Sequence, residues 1–468
     1  MLPITLDDSG PAVRQIERQV GLLIERGHLK PGAQVPSVRQ LAEELNVSTF
    51  TVVTAYDRLV SSNYLVSRRA RGYFVAQKSL SHLEDPALLA GSAIDAPWLF
   101  RAIKEQDGSI KAGAGVLPTD WIDSEMIRQS ARFAVRHSGD SFSQYPSPLG
   151  YRPLRDLVAL KLIDLGISVQ SEQVVTTAGA SHAIDLTLRT LLPAGSTVLI
   201  EDPGYYTLFS HLEAANIRFA TVPRRFDGID IDALEQAVRL HEPKLLFLNS
   251  VLHNPTGSTL STINAHKILG LAERYDFLIV EDDIYCDFYE GRAFRLANLD
   301  QLQRVIYVGS YAKTISPSLR VGFLAAGTEI ARRLAARKLL TCLATSELSE
   351  RIVAELLTSG AYRRHMERLR ERLADTRPRV ASRLRSLGFD TPVQTAGGFF
   401  LWGQWSDGRG TLALAKTASH HGLVLAPGSI FSPDHRDSNG LRLNIAHCDS
   451  AEFEARMMAS IESVSAER

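Results

Sequence analysis

The sequence predicts an α/β protein preceded by a small, mainly helical domain. After about residue 109, apolar strand-like runs alternate with helix-like segments of a dozen residues or more, as in a large, mostly parallel sheet covered by helices. Before residue 76, three amphipathic helices precede two short strand-like runs. We therefore predict a first domain over 1–76, a linker over 77–108 and an α/β domain over 109–468, with a smaller C-terminal α/β subdomain from roughly residue 335.

Composition places the chain among ordinary folded proteins. Of its 468 residues, 45% are hydrophobic, and the formal net charge is zero. The three cysteines have no paired spacing, so neither a disulfide framework nor a metal site is indicated. Because no apolar run approaches the roughly 18 residues of a membrane span, we expect a cytoplasmic protein without a membrane partner. Residues 1–80 carry ten Lys or Arg against seven Asp or Glu, a weak sign of a polyanionic partner.

The N-terminal region has the pattern of two short helices joined by a tight turn and followed by a basic hairpin. Ser37 and Ser48 stand where each can cap a helix, and Asn46 and Val47 lie in the turn between the two helices. The runs YLVS and YFVA then flank a basic tip. Such a unit places its second helix in the major groove of DNA and its hairpin, the wing, against the backbone. A small packing domain with a solvated basic loop is the alternative.

The candidate DNA contacts lie on both helices and on the wing. Arginines neutralise phosphates, and exposed polar side chains of the second helix read bases. The predicted contacts are Arg39, Ser48, Thr49, Thr51, Arg68, Arg69 and Arg71. The segment from LKPG to GYFV resembles the winged helix-turn-helix of the GntR family, which implies double-stranded DNA as a partner. Members commonly have an arginine at the position of Thr49 and a glycine near the wing tip, where this sequence has Arg69 or Ala70.

The sharpest local signal is the segment SYAKTISPSLRVG, which follows an apolar strand. Lysine forms a Schiff base with an aldehyde, and a serine and an arginine in the same loop can grip a phosphate. Lys313, Ser310 and Arg320 therefore offer a phosphorylated aldehyde both a covalent anchor and a charge clamp. On these residues alone, a surface lysine beside a turn is the other interpretation.

Segments upstream supply groups that suit the same ligand. In FLIVEDDIY, Asp282 suits a protonated pyridine nitrogen and Tyr285 a phenolic oxygen, although a strand-end carboxylate is also typical of a helix cap or a metal ligand. The segment HNPTG supplies Asn254, in a turn that can equally serve chain reversal alone. The AGAS turn opens a helix whose backbone amides near Ala180 and Ser181 can bind phosphate.

Together these segments resemble fold type I aminotransferases over roughly residues 110–460. The resemblance implies pyridoxal 5'-phosphate as the cofactor, with Lys313 in the Schiff base and Asp282 paired with the pyridinium. It implies that Tyr285 and Asn254 bind the ring oxygen. It further implies that the phosphate is bound by Ser310, Arg320, Ala180 and Ser181, and that Tyr205 stacks on the cofactor. It implies a homodimer in which Tyr145 reaches the neighbouring subunit's phosphate. Arg442 is implied to bind the substrate carboxylate. A surface ion pair is the other interpretation of Arg442.

From end to end, the chain resembles the MocR-like regulators, in which a GntR-type reader is joined to an aminotransferase-like domain. This resemblance implies a transcription regulator dependent on pyridoxal phosphate, whose aminotransferase-like domain senses an amino compound through the Schiff base of Lys313. Two alternatives stay open, namely an active aminotransferase with secondary DNA binding and a sensor of pyridoxal phosphate itself. We expect a chain that is not primarily an enzyme, with residual aminotransferase turnover allowed by its residues.

Overall fold

The computed structural model describes residues 4–7, 10–25, 28–30, 32–62, 64–68, 72–76, 96–105, 108–139, 143–289, 291, 293–393 and 395–466. The chain divides into two compact units, Met1–Ser92 and Ala93–Arg468. Within the described ranges, no helix is both long enough and apolar enough to cross a membrane.

The smaller unit contains three helices and an antiparallel hairpin in its described part. These elements are α1 (Ala12–Glu25), α2 (Val38–Leu45), α3 (Thr49–Ser61), β1 (Leu65–Arg68) and β2 (Gly72–Val75). Both predicted helix caps are confirmed, because Ser37 Oγ accepts a hydrogen bond from the Gln40 amide at 3.2 Å and Ser48 Oγ accepts one from the Thr51 amide at 3.1 Å. Asn46 ends α2 in the left-handed conformation, with φ of 53°.

Helix α3 buries one face in the core of the smaller unit. Its buried residues are Val52, Ala55, Tyr56 and Leu59, which share a hydrophobic cluster with Ile16 and Val20 of α1. The Tyr56 hydroxyl donates a hydrogen bond to the Pro36 carbonyl at 3.0 Å, so this buried polar group is satisfied. The spacing of the apolar residues thus fixes which face of α3 points away from the core.

The larger unit is built around an eight-stranded sheet. In spatial order its strands are β3 (Val174–Thr177), β10 (Gly322–Ala325), β9 (Val305–Ser310), β8 (Leu278–Asp282), β7 (Leu245–Leu248), β4 (Thr197–Asp202), β5 (Arg218–Arg225) and β6 (Gly228–Ile229). Strands β9 to β5 in this order are parallel, whereas β10 and β6 are antiparallel to their neighbours. Central strands such as β7 and β9 are buried throughout, as expected of a sheet covered on both faces. The predicted mostly parallel sheet is confirmed.

Helices surround this sheet and continue into a C-terminal part with its own small sheet. The helices are α4 (Ala96–Glu105), α5 (Ser124–Arg136), α6 (Arg152–Asp164), α7 (Ala180–Leu191), α8 (Tyr206–Ala214), α9 (Ile231–His241), α10 (Thr262–Tyr275), α11 (Leu296–Asp300), α12 (Thr328–Cys342), α13 (Glu347–Thr358), α14 (Ala361–Ser386), α15 (Leu412–His420) and α16 (Ala451–Ala466). The small antiparallel sheet has the order β11 (Phe389–Asp390), β12 (Phe400–Trp405), β14 (Gly440–Asn444) and β13 (Ala426–Pro427). The predicted smaller C-terminal α/β subdomain is therefore present.

Helix α4 lies inside the segment 77–108, which the sequence predicts as a linker. Its Leu99 is fully buried in the core of the larger unit. Its Phe100 contacts Tyr206 edge to face, with ring centroids 6.1 Å apart. The described end of the predicted linker is thus packed onto the larger unit.

Four neighbouring parallel strands bring the predicted site residues to one edge of the large sheet. Strand β9 leads into Lys313, β8 ends at Asp282, β7 leads into Asn254, and β4 leads into Tyr205. Because ligands of open α/β sheets bind beyond the carboxyl ends of the strands, this edge is the place to look for a site.

Candidate functional site

Lys313 contacts the segment 113–116, which precedes the first strand of the large sheet. Its Nζ donates a hydrogen bond to the Gly115 carbonyl at 2.7 Å. Burial and the positive charges of Arg442 and Arg320 together lower the pKa of Lys313 to about 8, against the opposing effect of Asp282. About a tenth of its amine is therefore neutral at pH 7, far more than for a free lysine, and the neutral amine is the nucleophilic form. Lys313 is thus half-buried and hydrogen-bonded within the larger unit, which argues against the alternative of a surface lysine.

Asp282, at the end of β8, shares this electrostatic environment. Burial raises the pKa of Asp282 to about 7, the hydrogen bond from the Ile284 amide opposes that rise, and the charge of Lys313 also lowers the pKa. Asn249 Nδ2 donates to the Asp282 carbonyl at 2.6 Å and so fixes the end of the strand. A cationic partner close to this carboxyl would stabilise its ionised form.

The turn between β3 and α7 carries the backbone amides that are predicted to bind phosphate. Gly179 precedes α7 with φ of 83° and leaves the helix without a side-chain cap, so the first amides, at Ala180 and Ser181, have no capping oxygen from that residue. Arg320 Nη2 donates to the Ala178 carbonyl at 2.7 Å. The φ of 83° is a backbone conformation that favours glycine, and a Cβ on Gly179 would lie 2.7 Å from this nitrogen, so a larger residue would also displace the guanidinium from the turn. A helix N-terminus beside an arginine suits phosphate.

Ser310 lies at the end of β9, on the loop that carries Lys313. Its Oγ accepts a hydrogen bond from the Ala312 amide at 3.1 Å and approaches the Val321 carbonyl at 3.4 Å. Gly322 opens β10 and pairs with Ser310 of β9, and its Cβ position lies 2.8 Å from the Cα of Gly179, so the strand next to Ser310 is in close backbone contact with the α7 turn. The two predicted halves of the phosphate site are thus neighbours.

Arg442 is buried to 1% exposure in the strand β14. Its guanidinium carbon stands 4.4 Å from the ring centroid of Phe400 and 4.8 Å from that of Phe431. Nη1 donates to Asn254 Oδ1 at 2.7 Å and Nη2 donates to the Gly113 carbonyl at 2.6 Å. Nε has no hydrogen-bond partner in the part of the chain that the structure describes. Burial between aromatic rings excludes the surface ion pair, and a desolvated guanidinium of this kind suits a carboxylate.

Two tyrosines line the space between Asp282 and Arg442. Tyr285 is buried and contacts Phe400 edge to face, with centroids 5.6 Å apart. Burial raises the pKa of Tyr285 well above its usual range, although the charge of Arg442 lowers it. Burial likewise raises the pKa of Tyr205 to about 12. Both hydroxyls therefore stay protonated at neutral pH and can donate hydrogen bonds.

Tyr145 lies apart from these groups in the single chain. Its side chain is 87% exposed. The role that the resemblance gives it, in a neighbouring subunit's site, stays a prediction.

On the smaller unit, the predicted DNA contacts are only partly described. Arg39 is exposed on α2, and Thr49 is exposed on the first turn of α3. Ser48 and Thr51 bind each other, with their hydroxyl oxygens 2.8 Å apart, so both serve the helix cap. Arg68 ends β1, and the predicted contacts Arg69 and Arg71 lie outside the described residues.

Several residues that contact the candidate site are not among those predicted from the sequence. The segment 113–116 reaches the site because Asn444 Nδ2 donates to the carbonyls of Ala114 and Val116, at 3.0 and 2.8 Å. Asn249 Oδ1 accepts a hydrogen bond from the Asn254 amide at 2.7 Å and so links two predicted site segments. The repeated small residues of AGAGV and the asparagine two positions after Arg442 were the signals available.

Comparison with known proteins assigns both units. Residues 109–457 match the family described as aminotransferase class I and II, and residues 12–75 match the gntR family of bacterial regulatory proteins. The fold is that of the fold type I aminotransferases, with a winged helix-turn-helix before it. The chain belongs to the class I and II aminotransferase family and has a gntR-family domain at its N-terminal side, which is the predicted MocR-like arrangement.

Relatives of both kinds are found. YdfD of Bacillus subtilis, an uncharacterized HTH-type transcriptional regulator, is 27% identical over 93% of this chain and 93% of its own length. A 2-aminoadipate transaminase of Thermus thermophilus is 31% identical over 74% of this chain and 88% of its own. Among solved structures, LysN, an α-aminoadipate aminotransferase of Thermus thermophilus complexed with N-(5'-phosphopyridoxyl)-L-leucine, has a TM-score of 0.71 and 29% identity, covering 78% of this chain and 96% of that one.

Proposed function

We propose that this protein is a transcription regulator that binds double-stranded DNA and responds to an amino compound bound with pyridoxal phosphate. The observation that carries the proposal is the joint placement of Lys313, Asp282 and a fully buried Arg442 in a chain that also has a gntR-family domain. We place its action in the cytoplasm, where bacterial DNA lies.

The residues of the site fit pyridoxal phosphate. Lys313 would hold the aldehyde carbon, Asp282 the pyridine nitrogen, and Tyr285 and Asn254 the phenolic oxygen. Tyr205 would stack on the ring, and the phosphate would be held by Ser310, Arg320 and the amides of Ala180 and Ser181. The fit is supported by the close approach of Arg320 to Gly179 and by the carboxyl of Asp282, whose pKa burial raises to about 7 and whose ionised form a protonated pyridine nitrogen would stabilise. When bound, the cofactor supplies an aldehyde that condenses with primary amines and a ring that withdraws electrons.

The effector is an amino compound that carries a carboxylate. Arg442 presents its guanidinium between two aromatic rings, where water is excluded and a bidentate carboxylate contact gains strength. Asn254, already bound to Nη1 of this arginine, fixes its orientation. A sensor of pyridoxal phosphate alone needs no such clamp, which favours an amino acid as the effector.

Helix α4 gives ligand binding a route toward the DNA-binding unit. Its Phe100 contacts Tyr206, and the Tyr206 ring centroid stands 5.7 Å from the guanidinium carbon of Arg442. Because α4 lies within the predicted linker segment 77–108, a shift of Tyr206 on carboxylate binding reaches the linker directly. A ligand changes DNA affinity only if it favours one of two arrangements of this contact.

We further propose that the protein acts as a homodimer with shared cofactor sites. Tyr145, Leu340 and Leu343 are exposed to 87%, 81% and 52%, and a second copy would cover them. In that arrangement Tyr145 would reach the phosphate held by the other subunit. Sedimentation analysis should give a dimer for the wild type and a monomer for Leu340→Glu; a wild-type monomer would remove this part of the proposal.

DNA binding would use Arg39, Ser48, Thr49, Thr51 and the wing arginines. Replacing Arg68, Arg69 and Arg71 together with alanine should flatten the dependence of DNA affinity on salt, by about one unit of slope per lost phosphate contact. The exposed arginines of α5, Arg128, Arg132 and Arg136, give a matched triple control. An unchanged slope in the wing variant would remove the wing from the interface.

An aminotransferase that makes product is the second candidate, and the lowered pKa of Lys313 favours it, since a neutral lysine can move protons. Turnover with a 2-oxo acid separates the two. A rate of about one per second or more, in the usual enzyme range, would favour the enzyme. A much slower rate, together with ligand-dependent DNA affinity, would favour the regulator.

The experiment that tests the proposal starts with the visible absorbance of the purified protein in the presence of pyridoxal phosphate. A panel of amino acids and amines is then added, with Lys313→Ala as the control. We expect a lysine-dependent band that shifts with one ligand. A protein that gives no band even at saturating cofactor would leave only the DNA-binding half of the proposal.

A further inference from the structure

An apolar side chain occupies the centre of the exposed face of α3. Phe50, in the first turn of this helix, is 78% exposed. Each helical residue advances by about 100°, so Phe50 and Thr54 point almost directly away from the buried stripe that contains Val52 and Tyr56. The face opposite that stripe is the one that a helix-turn-helix presents to the major groove.

Three hydroxyl groups near Phe50 are already engaged within α3 and its N-terminal cap. Ser48 Oγ accepts the Thr51 amide, and the two hydroxyls bind each other. Thr54 Oγ1 donates to the Phe50 carbonyl at 2.8 Å. These three hydroxyls thus have partners in the cap and the first turns of α3, whereas the phenyl ring of Phe50 is 78% exposed.

We propose that Phe50 determines sequence specificity by packing against the 5-methyl group of a thymine in the major groove. The methyl group is the apolar feature of a base edge in that groove, and phenylalanine is one of the side chains that contact it. A hydroxyl can donate or accept and so contacts several base edges, whereas a phenyl ring favours the methyl group and disfavours polar edges that it would leave without hydrogen-bond partners. The inference rests on the proposed DNA-binding function and adds the chemistry of the base that is read.

The test begins with selection of binding sites from randomised duplex DNA by the full-length wild-type protein. We expect one thymine per half-site to be enriched. Replacing that thymine by uracil removes only the methyl group and should weaken wild-type binding about fourfold, the effect of roughly one buried methylene. Phe50→Ala should bind the thymine and uracil duplexes equally, whereas Phe50→Leu should keep part of the preference.

Phe226→Ala, a change at another exposed phenylalanine, should retain the full discrimination and serves as the matched control. If every thymine of the selected site could be replaced by uracil without loss of affinity, the role of Phe50 would be overturned, but the proposed DNA-binding function would not. Equal sensitivity of the wild type and Phe50→Ala to uracil would overturn it too. Failure of the wild type to select any sequence would instead overturn the proposed DNA-binding function, and this inference with it.

Discussion

The two candidate sites of this molecule are built in opposite ways. In the larger unit, Lys313 and Arg442 lie among buried groups, and each already donates a hydrogen bond to a backbone carbonyl. In the smaller unit, the candidate DNA-binding face is exposed, and its most prominent side chain, Phe50, projects into solvent. Buried charged groups are held by the protein itself, whereas an exposed face is ordered by its partner. The side chains of the candidate site in the larger unit are therefore positioned before a ligand binds. The exposed side chains of the smaller unit would take their final positions when DNA binds.

The largest expected effect comes from Lys313→Ala. Without the amine, the absorbance band that depends on lysine and pyridoxal phosphate should be lost completely, and no amino acid should shift the spectrum. Lys338→Met is the matched control, because burial also lowers the pKa of Lys338 to about 8 while its ammonium is bound by Thr176 and Thr345. A band that vanished in the Lys338 variant but persisted in the Lys313 variant would place the reactive amine elsewhere.

Arg442→Gln should weaken amino-acid binding by about 10- to 100-fold, the range for hydrogen bonds to a charged group. Titration of the absorbance change measures this affinity. The matched amine without a carboxylate should bind both proteins alike. Arg436→Gln, at an exposed arginine paired with Asp434, should leave both affinities unchanged. Equal losses for the amino acid and its amine would show that Arg442 supports the fold of the site rather than the carboxylate.

Uptake of pyridoxal phosphate by the cofactor-free protein should depend on pH. Only the neutral amine attacks an aldehyde, and the pKa of Lys313 is about 8, so the rate should rise nearly tenfold per pH unit below 8 and level off above it. Arg442 is one of the positive groups that lower this pKa, so Arg442→Gln should move the plateau to higher pH. Stopped-flow absorbance measures the rate, and a flat profile from pH 6 to 9 would contradict the assignment.

Phe100→Ala tests the contact between α4 and the effector site. Ligand affinity should stay within about twofold, whereas the effect of ligand on DNA affinity should fall by about 2- to 10-fold, the strength of one aromatic pair. Phe294→Ala, at a similarly exposed phenylalanine, is the control. If the ligand response of DNA binding were unchanged in Phe100→Ala, the route through α4 would be wrong.

Structural features that depend on residues close together in the sequence could be predicted from the sequence alone. The caps Ser37 and Ser48 and the apolar stripe of α3 follow from local spacing, and both caps are formed. The segments around Lys313, Asp282 and Asn254 were predictable because each follows a strand, and parallel strands end at the same edge of a sheet.

Contacts between distant parts of the chain were not predictable in this way. The bonds from Arg442 to Gly113 and from Asn444 to Ala114 join residues more than 300 positions apart, and no periodicity announces them. Phe50 was missed for another reason, since an apolar residue in an amphipathic helix is ordinarily expected in the core. The same pattern that predicts α3 as a helix therefore conceals the residue that stands on its outer face.

We infer that one ligand acts on both units, and DNA affinity measured with and without that ligand tests this coupling. The wild type, loaded with pyridoxal phosphate, is titrated onto its selected DNA site at fixed salt while the amino acid that shifts its spectrum is varied. We predict that DNA affinity changes over the same ligand concentrations as the absorbance, and that Lys313→Ala loses both responses. DNA affinity that stays constant across the whole absorbance change would contradict the account.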